Sequence, residues 1–183
     1  ERGAVALEVA AFEEIVEQQG ALVLDTRSEQ AFRNSHIPNS IFIGIDGNFA
    51  PWVGALIVDL QQPIVFLAEE GREEEVVTRL SRVGYDNTLG YLKGGIDAWI
   101  IAGGEIDKVG SVSSEQLAEM KSKGKDLNIL DVRKKSEFDS EHVVDAENIP
   151  LDVINNKMNA VDDNNTYYVH CAGGYRSMIT ISI

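Results

Sequence analysis

The chain repeats itself, and that constrains its fold more than any other feature. Leu22-Val23-Leu24-Asp25-Thr26-Arg27 returns as Asn128-Ile129-Leu130-Asp131-Val132-Arg133. Phe32 returns as Phe138 and His36 as His142, all at an offset of 106. Ile64-Val65-Phe66-Leu67 then matches Tyr168-Val169-His170-Cys171, and Arg72 matches Arg176, at an offset of 104. A near-constant offset over this length means two copies of one domain, so a single unit of roughly 100 residues must account for both halves. The boundary falls near Gly103 to Gly110, giving domains over 1–107 and 108–183.

Each copy alternates strand-like and helix-like segments. In copy one, Phe12 to Gln19 puts Phe12, Ile15 and Val16 on one helical face, and Gly20 ends the helix. Ala21 to Leu24 is a short apolar run suited to a strand buried on both faces. Ser28 caps the helix carrying Phe32, and Ile41 to Ile45 reads as a strand. Asp46 to Ala55 is a loop or short helix. Ile64 to Leu67 is a strand, Arg72 to Val83 a helix, Thr88 to Leu92 a strand, and Gly95 to Ile101 a last helix with Trp99. Copy two opens with Ser113 and Gln116 at capping-box spacing and Val112 and Leu117 at staple spacing. Ile129 to Val132 is its first strand, Ser136 opens the next helix, and Glu147 to Leu151 answers Ile41 to Ile45. This order predicts α/β architecture with a mainly parallel sheet in each copy.

The chemistry concentrates in Cys171-Ala172-Gly173-Gly174-Tyr175-Arg176-Ser177, which follows the β-prone run Thr166 to His170. Strand, tight loop, helix start is the expected order. A thiolate at Cys171 then gains from loop N–H groups and from the positive end of the helix dipole. Gly173 and Gly174 let the backbone turn. Arg176 offers a cation and a planar fork for an oxyanion. Cys171 is the nucleophile on this reading, with Ala172, Gly173, Gly174, Tyr175, Arg176 and Ser177 around the substrate. Tyr175 shapes the mouth or is a plain surface aromatic; Ser177 bonds the thiolate or begins the helix. His170 is a weak candidate for a general base, because strand alternation aims it away from Cys171. No His/Cys cluster has metal spacing. Copy one carries Leu67 where the offset places the nucleophile, and Leu67 to Glu75 holds five Glu against one Arg, so it is read as catalytically inactive. Its remaining roles are packing, dimer contact or positioning a partner.

Cys-x4-Arg-Ser after a strand resembles the active loop of the rhodanese (sulfurtransferase) superfamily. Cysteine-dependent phosphatases place five residues between Cys and Arg, and a phosphatase or arsenate reductase is disfavoured for that reason. Asp131-x-Arg133, Glu137-Phe138, His142-Val143 and Ala146-Glu147-Asn148-Ile149-Pro150 resemble the rhodanese N-terminal signature, and Gly94-Gly95-Ile96-Asp97-Ala98-Trp99 its C-terminal one. Glu141 and Ser35 stand where the family usually has Gly. Asn39 and Asp145 stand at another frequent Gly, and both tolerate left-handed backbone. Asp25, Arg27, Asp131, Arg133, His36 and His142 are read as structural. The loop wording of both copies is similar to the C-terminal tandem rhodanese region of bacterial metallo-β-lactamase-fold fusion proteins. Any metal there belongs to an N-terminal domain that this chain does not include, so no cofactor is expected here.

The resemblance implies transfer of a sulfane sulfur from thiosulfate or a low-molecular-weight persulfide to a thiophilic acceptor through a Cys171 persulfide. The alternative is a non-catalytic scaffold. The expected partners are small sulfur-containing anions or persulfides, with a homodimer left open. A net charge of −14 argues against nucleic acid and anionic membranes. One cysteine permits no internal disulfide, so a reducing, cytoplasmic setting is expected. The chain opens on Glu1, as a fragment would. Trp99 lies 32 residues after Leu67, whereas the chain ends 12 residues after Cys171, so copy two is expected to be truncated.

Overall fold

A computed structural model describes residues 4–183; residues 1–3, where the first domain is taken to begin, lie outside the described part. The chain divides into two compact units, with Val109 closing the first stretch and Gly110 opening the second.

The first unit runs β1 (Ala6–Leu7), α1 (Val9–Gln19), β2 (Leu22–Asp25), α2 (Glu29–Asn34), β3 (Ile41–Phe42), α3 (Phe49–Leu56), β4 (Ile64–Leu67), α4 (Glu73–Arg82), β5 (Thr88–Leu92) and α5 (Gly95–Ile101). Its five strands are ordered β1-β5-β4-β2-β3, and every pairing is parallel. Parallel neighbours need crossover helices, which cover both faces, so the central strand is apolar throughout. All four residues of β4 are fully buried. Val23, Val65 and Leu67 pack with Phe12, Leu92 and Trp99 on one face. Alternation turns Leu24 and Phe66 to the other. Gly20 closes α1 at φ 60°, and the Ser28 hydroxyl accepts from Ala31 N–H to cap α2. Gly94 sits at φ 75°, and a Cβ there would meet Ala98 at 2.9 Å, so the turn into α5 requires glycine. The turn delivers Trp99 to the core, its Nε1–H donating to Glu105 O at 2.7 Å.

The second unit runs α6 (Ser114–Ser122), β6 (Asn128–Asp131), α7 (Lys135–Ser140), β7 (Glu147–Asn148), two 3-10 turns (Leu151–Asn156 and Met158–Ala160), β8 (Tyr167–His170) and α8 (Tyr175–Ser182). Its parallel sheet has the order β7-β6-β8, the counterpart of β3-β2-β4. Ser113 and Gln116 form the full capping box of α6.

Two expectations need adjustment. The β3 and β7 strands are two residues long, not five, because the chain leaves the sheet after Phe42 and Asn148. Helix α7 begins at Lys135, with the Lys134 N–H bonded to Glu137, rather than at Ser136. Among the described residues Asn39 and Asp145 are the non-glycine positions with positive φ, at 62° and 67°. Ser35 and Glu141, by contrast, are extended at φ −167° and −162°. Any side chain adopts that conformation, so the missing glycines carry no penalty.

Phe12 is fully buried and meets Trp99 edge-on at 6.2 Å. Phe12→Ala is therefore expected to destabilise the first unit by about 3–5 kcal/mol, read as a lowered urea midpoint by tryptophan fluorescence.

Candidate active site

The site of the second unit begins with a brace at the end of β6. Asp131 is fully buried and accepts from Arg133 N, Nε and Nη2, the last at 2.6 Å. Arg133 Nη2 also donates to Glu141 O at 2.7 Å, tying the strand end to the end of α7. Asn148 Nδ2 donates to the Asp131 and Arg133 carbonyls from β7. Burial pushes the Asp131 carboxyl up, but hydrogen bonds from Arg133, together with the electrostatic attraction of the adjacent His170 and of Arg133, outweigh burial and hold it below the carboxylate range. The first unit has the same brace in Asp25, Arg27 and Ser35 O. His36 and His142 bond Phe32 O and Phe138 O through Nδ1 and stack on those phenylalanine rings. These six residues are structural, as their pattern suggests.

Cys171 lies in the turn between β8 and α8, half-buried. Its sulfur accepts from Gly174 N–H at 3.1 Å and Ser177 N–H at 3.4 Å. Ser177 Oγ lies 3.6 Å from Sγ and donates to Gly174 O at 2.8 Å. In the thiol form Cys171 donates to this hydroxyl; in the thiolate form the hydroxyl hydrogen can rotate onto sulfur. Burial pushes the Cys171 thiol up. Hydrogen bonds from the Ser177 hydroxyl and from the Ser177, Gly173 and Gly174 N–H groups outweigh burial, so the thiol is held below its ordinary value. Gly174 takes φ 99°; Gly173 does not have positive φ, so one glycine makes the turn. Ala172, Gly173 and Gly174 are exposed, Tyr175 and Arg176 half-buried, and Ser177 buried. The loop is thus open at its rim and closed beneath the sulfur.

Two readings from the sequence are corrected. The Arg176 fork does not face outward to an oxyanion. Nη1 and Nη2 donate to Glu137 Oε2 and Oε1 at 2.6 and 2.9 Å, a bidentate pair. Glu137 was quoted above only as part of a signature. Its signal was nonetheless present, because the matching position at offset 106 in copy one is Ala31. Arg176, reinforced by Lys134 N–H and Arg133, holds Glu137 down to about 2 against its desolvation. The second correction concerns Leu67. Strand pairing sets Leu67 opposite Asp25 just as it sets His170 opposite Asp131. Thr26 N–H bonds Leu67 O as Val132 N–H bonds His170 O. Ala68, not Leu67, therefore occupies the place of Cys171. Spacing counted back from the arginines misses this because α8 starts one residue after Gly174 while α4 starts after Arg72, so the two loops differ in length. Copy one still has no nucleophile. Its Arg72 is held by Asp46 at 2.8 Å and by Glu75 at 2.9 Å.

His170 belongs to the brace rather than to the sulfur. Its Nε2 is buried 3.6 Å from Asp131 Oδ2, close enough to feel the carboxylate but beyond hydrogen-bond distance, and has no hydrogen-bond partner. Among the described residues no group of three His, Cys, Asp or Glu could hold a metal ion, and no helix is long and apolar enough to cross a membrane.

A parallel sheet whose strand end delivers a cysteine into a loop of N–H donors, built on a duplicated Asp-x-Arg brace, defines a class. The rhodanese-like domain model matches residues 8–102 and again residues 113–182, and the chain belongs to the rhodanese-like sulfurtransferase family. Among curated proteins it is similar to the "Putative sulfur carrier protein YrkF" of Bacillus subtilis, 32% identical over 66 residues, 36% of each chain. An uncharacterized protein of Buchnera aphidicola is 24% identical over 85 residues, 46% of this chain and 57% of its own. The chain thus spans between about a third and just over half the length of these relatives. Among solved structures it is similar to a thiosulfate sulfurtransferase from Pseudomonas aeruginosa (17% identity, 98% of this chain and 40% of that one, TM-score 0.46). It is also similar to the 3-mercaptopyruvate sulfotransferase SseA from Escherichia coli (14% identity, 100% and 93%, TM-score 0.46).

The pH profile of iodoacetamide alkylation of Cys171 should have its midpoint below that of a free thiol. Ser177→Ala should move the midpoint up, because it deletes a donor that favours the charged form. In a Cys171→Ser background, Ala68→Cys should titrate at or above the ordinary thiol value, since Glu69 and Glu70 stand where Ala172 and Gly173 follow Cys171.

Proposed function

We propose that the second unit transfers sulfane sulfur through a Cys171 persulfide. The observation that carries this reading is the Cys171 sulfur accepting two backbone N–H bonds at 3.1 and 3.4 Å inside an open-rimmed loop. Such donors stabilise a thiolate before reaction and can cradle the outer sulfur of a persulfide after it.

The first step forms a bond from the thiolate electron pair to the sulfane sulfur of the donor. The donor's S–S bond breaks, and its pair leaves on sulfite if the donor is thiosulfate, or on a thiolate if it is a persulfide. An acceptor such as sulfite or a thiol then attacks the outer sulfur, and the Cys171 thiolate leaves. Each step exchanges one S–S bond, so no external oxidant or reductant is required. A covalent enzyme intermediate implies ping-pong kinetics. Tyr175, half-buried at the rim, would border the entering donor.

The first unit serves as a scaffold on this reading, because Ala68 stands where the nucleophile would be and Arg72 is held by two carboxylates. The likeness of both loops to the tandem region of metallo-β-lactamase-fold fusions supports a parent protein with such a domain ahead of this region. A reducing, cytoplasmic setting suits a lone reactive cysteine.

Intact mass of the protein after thiosulfate, and separately after glutathione persulfide, tests the proposal. The expected result is one added sulfur atom, discharged by sulfite or a thiol and absent in Cys171→Ser. No adduct from either donor, on folded protein with a titratable thiol, would leave the scaffold reading for both units.

A further inference from the structure

The Cys171 loop contains one charged side chain besides the thiolate, and that side chain is already matched. Glu137 closes the Arg176 fork through both carboxylate oxygens. It is also anchored from behind, because its Oε2 accepts from the Lys134 N–H at 3.1 Å in the first turn of α7. The pair is partly shielded, with side-chain exposures of 20% for Arg176 and 34% for Glu137. A substrate therefore meets a guanidinium whose charge a bidentate, pre-oriented carboxylate already offsets. The second arginine near the site, Arg133, is committed to Asp131 and to Glu141 O. Asp131, Arg133, Glu137 and Arg176 therefore sum to zero charge beside the thiolate. What remains to receive a donor is the set of N–H dipoles beside an Arg176 charge that Glu137 already offsets, in a chain carrying a net charge of −14. A dianion loses more in such a setting than a donor of one charge or none.

The internal repeat shows that both loop arginines are closed, but that closure from the Glu137 position belongs to the cysteine copy. Copy one has Ala31 at the position matching Glu137, and its loop arginine turns to Asp46 and Glu75 instead. The carboxylate accompanies the copy that has a nucleophile.

We propose that Glu137 is a specificity-determining residue: by closing the Arg176 fork it disfavours doubly charged donors such as thiosulfate and matches the loop to low-molecular-weight persulfides carrying at most one negative charge. This inference rests on the sulfur-transfer reading above and narrows its donor class. The bond changes are those already given, with a thiol as the leaving group.

The experiment compares kcat/KM for thiosulfate with that for the persulfide of 2-mercaptoethanol, in wild type, Glu137→Gln and Glu137→Asp. Removing one negative charge beside the thiolate is expected to raise the thiosulfate-to-persulfide ratio about tenfold in Glu137→Gln. Glu137→Asp keeps the charge and should leave the ratio within about twofold of wild type. A merely structural role would lower both donors together and leave the ratio unchanged; that result overturns the inference while sulfur transfer stands. If wild type forms no persulfide adduct with either donor, the sulfur-transfer reading itself falls, and this inference with it. Should the variants fail to fold, the salt dependence of wild type decides. A free fork would make the thiosulfate rate fall with ionic strength, which overturns the inference; a closed fork gives a rate that rises or stays level.

Discussion

The carboxylate of Asp131 is the point on which the cysteine unit depends. It is buried at the end of β6, where a lone charge would be costly, and a bidentate arginine two residues later compensates it. The compensation has a geometric consequence. Arg133 can satisfy Asp131 and Glu141 O together only if the end of α7 lies against the strand end. That orients α7, which carries Glu137 in its first turn. Glu137 in turn holds Arg176, and Arg176 sits in the first turn of α8 beside the Cys171 loop. A chain of ion pairs thus runs from the sheet to the sulfur. Buried pairs of this kind add little net stability compared with apolar packing, but they specify one arrangement among several.

The two units share this brace and diverge beyond it. In both, a buried Asp-x-Arg, a capped helix and a histidine stacked on phenylalanine set the same corner. In the first unit the strand ends in Leu67, fully buried, and the chain then crosses five residues before α4. In the second, four residues suffice before α8. In the shorter loop the Gly174 and Ser177 N–H groups converge on the Cys171 sulfur, whereas in the longer one the Gly71 N–H donates to the Glu73 carboxylate and the Arg72 N–H to Glu69 O. Acidic side chains reinforce the difference, since Glu69 and Glu70 stand where the second loop has Ala172 and Gly173.

Around Cys171, charge is balanced rather than accumulated. Arginine near a thiolate is easily taken as a free anion-binding group. Here each guanidinium has its own carboxylate, so the sulfur relies on N–H and hydroxyl dipoles together with an Arg176 charge that is already offset. A dipole cradle favours a thiolate without attracting every anion, because its field falls off faster than that of a charge.

The sequence by itself determined the duplication, the α/β class with parallel sheets, and most element positions, since these follow from local signals: apolar runs, Ser28 and Ser113 caps, Gly20 and Gly94. It also determined that Cys171 would stand between a strand and a helix start, and that Asn39 and Asp145 would take left-handed turns. Tertiary structure decided what local spacing cannot encode. Whether Leu67 or Ala68 matches Cys171 depends on hydrogen-bond register to β2 and β6, a relation between residues about 40 apart. Whether Arg176 is free or closed depends on Glu137, 39 residues away in sequence and 2.6 Å away in space. Register and ion pairing are set by contacts distant along the chain, so only the folded molecule shows them.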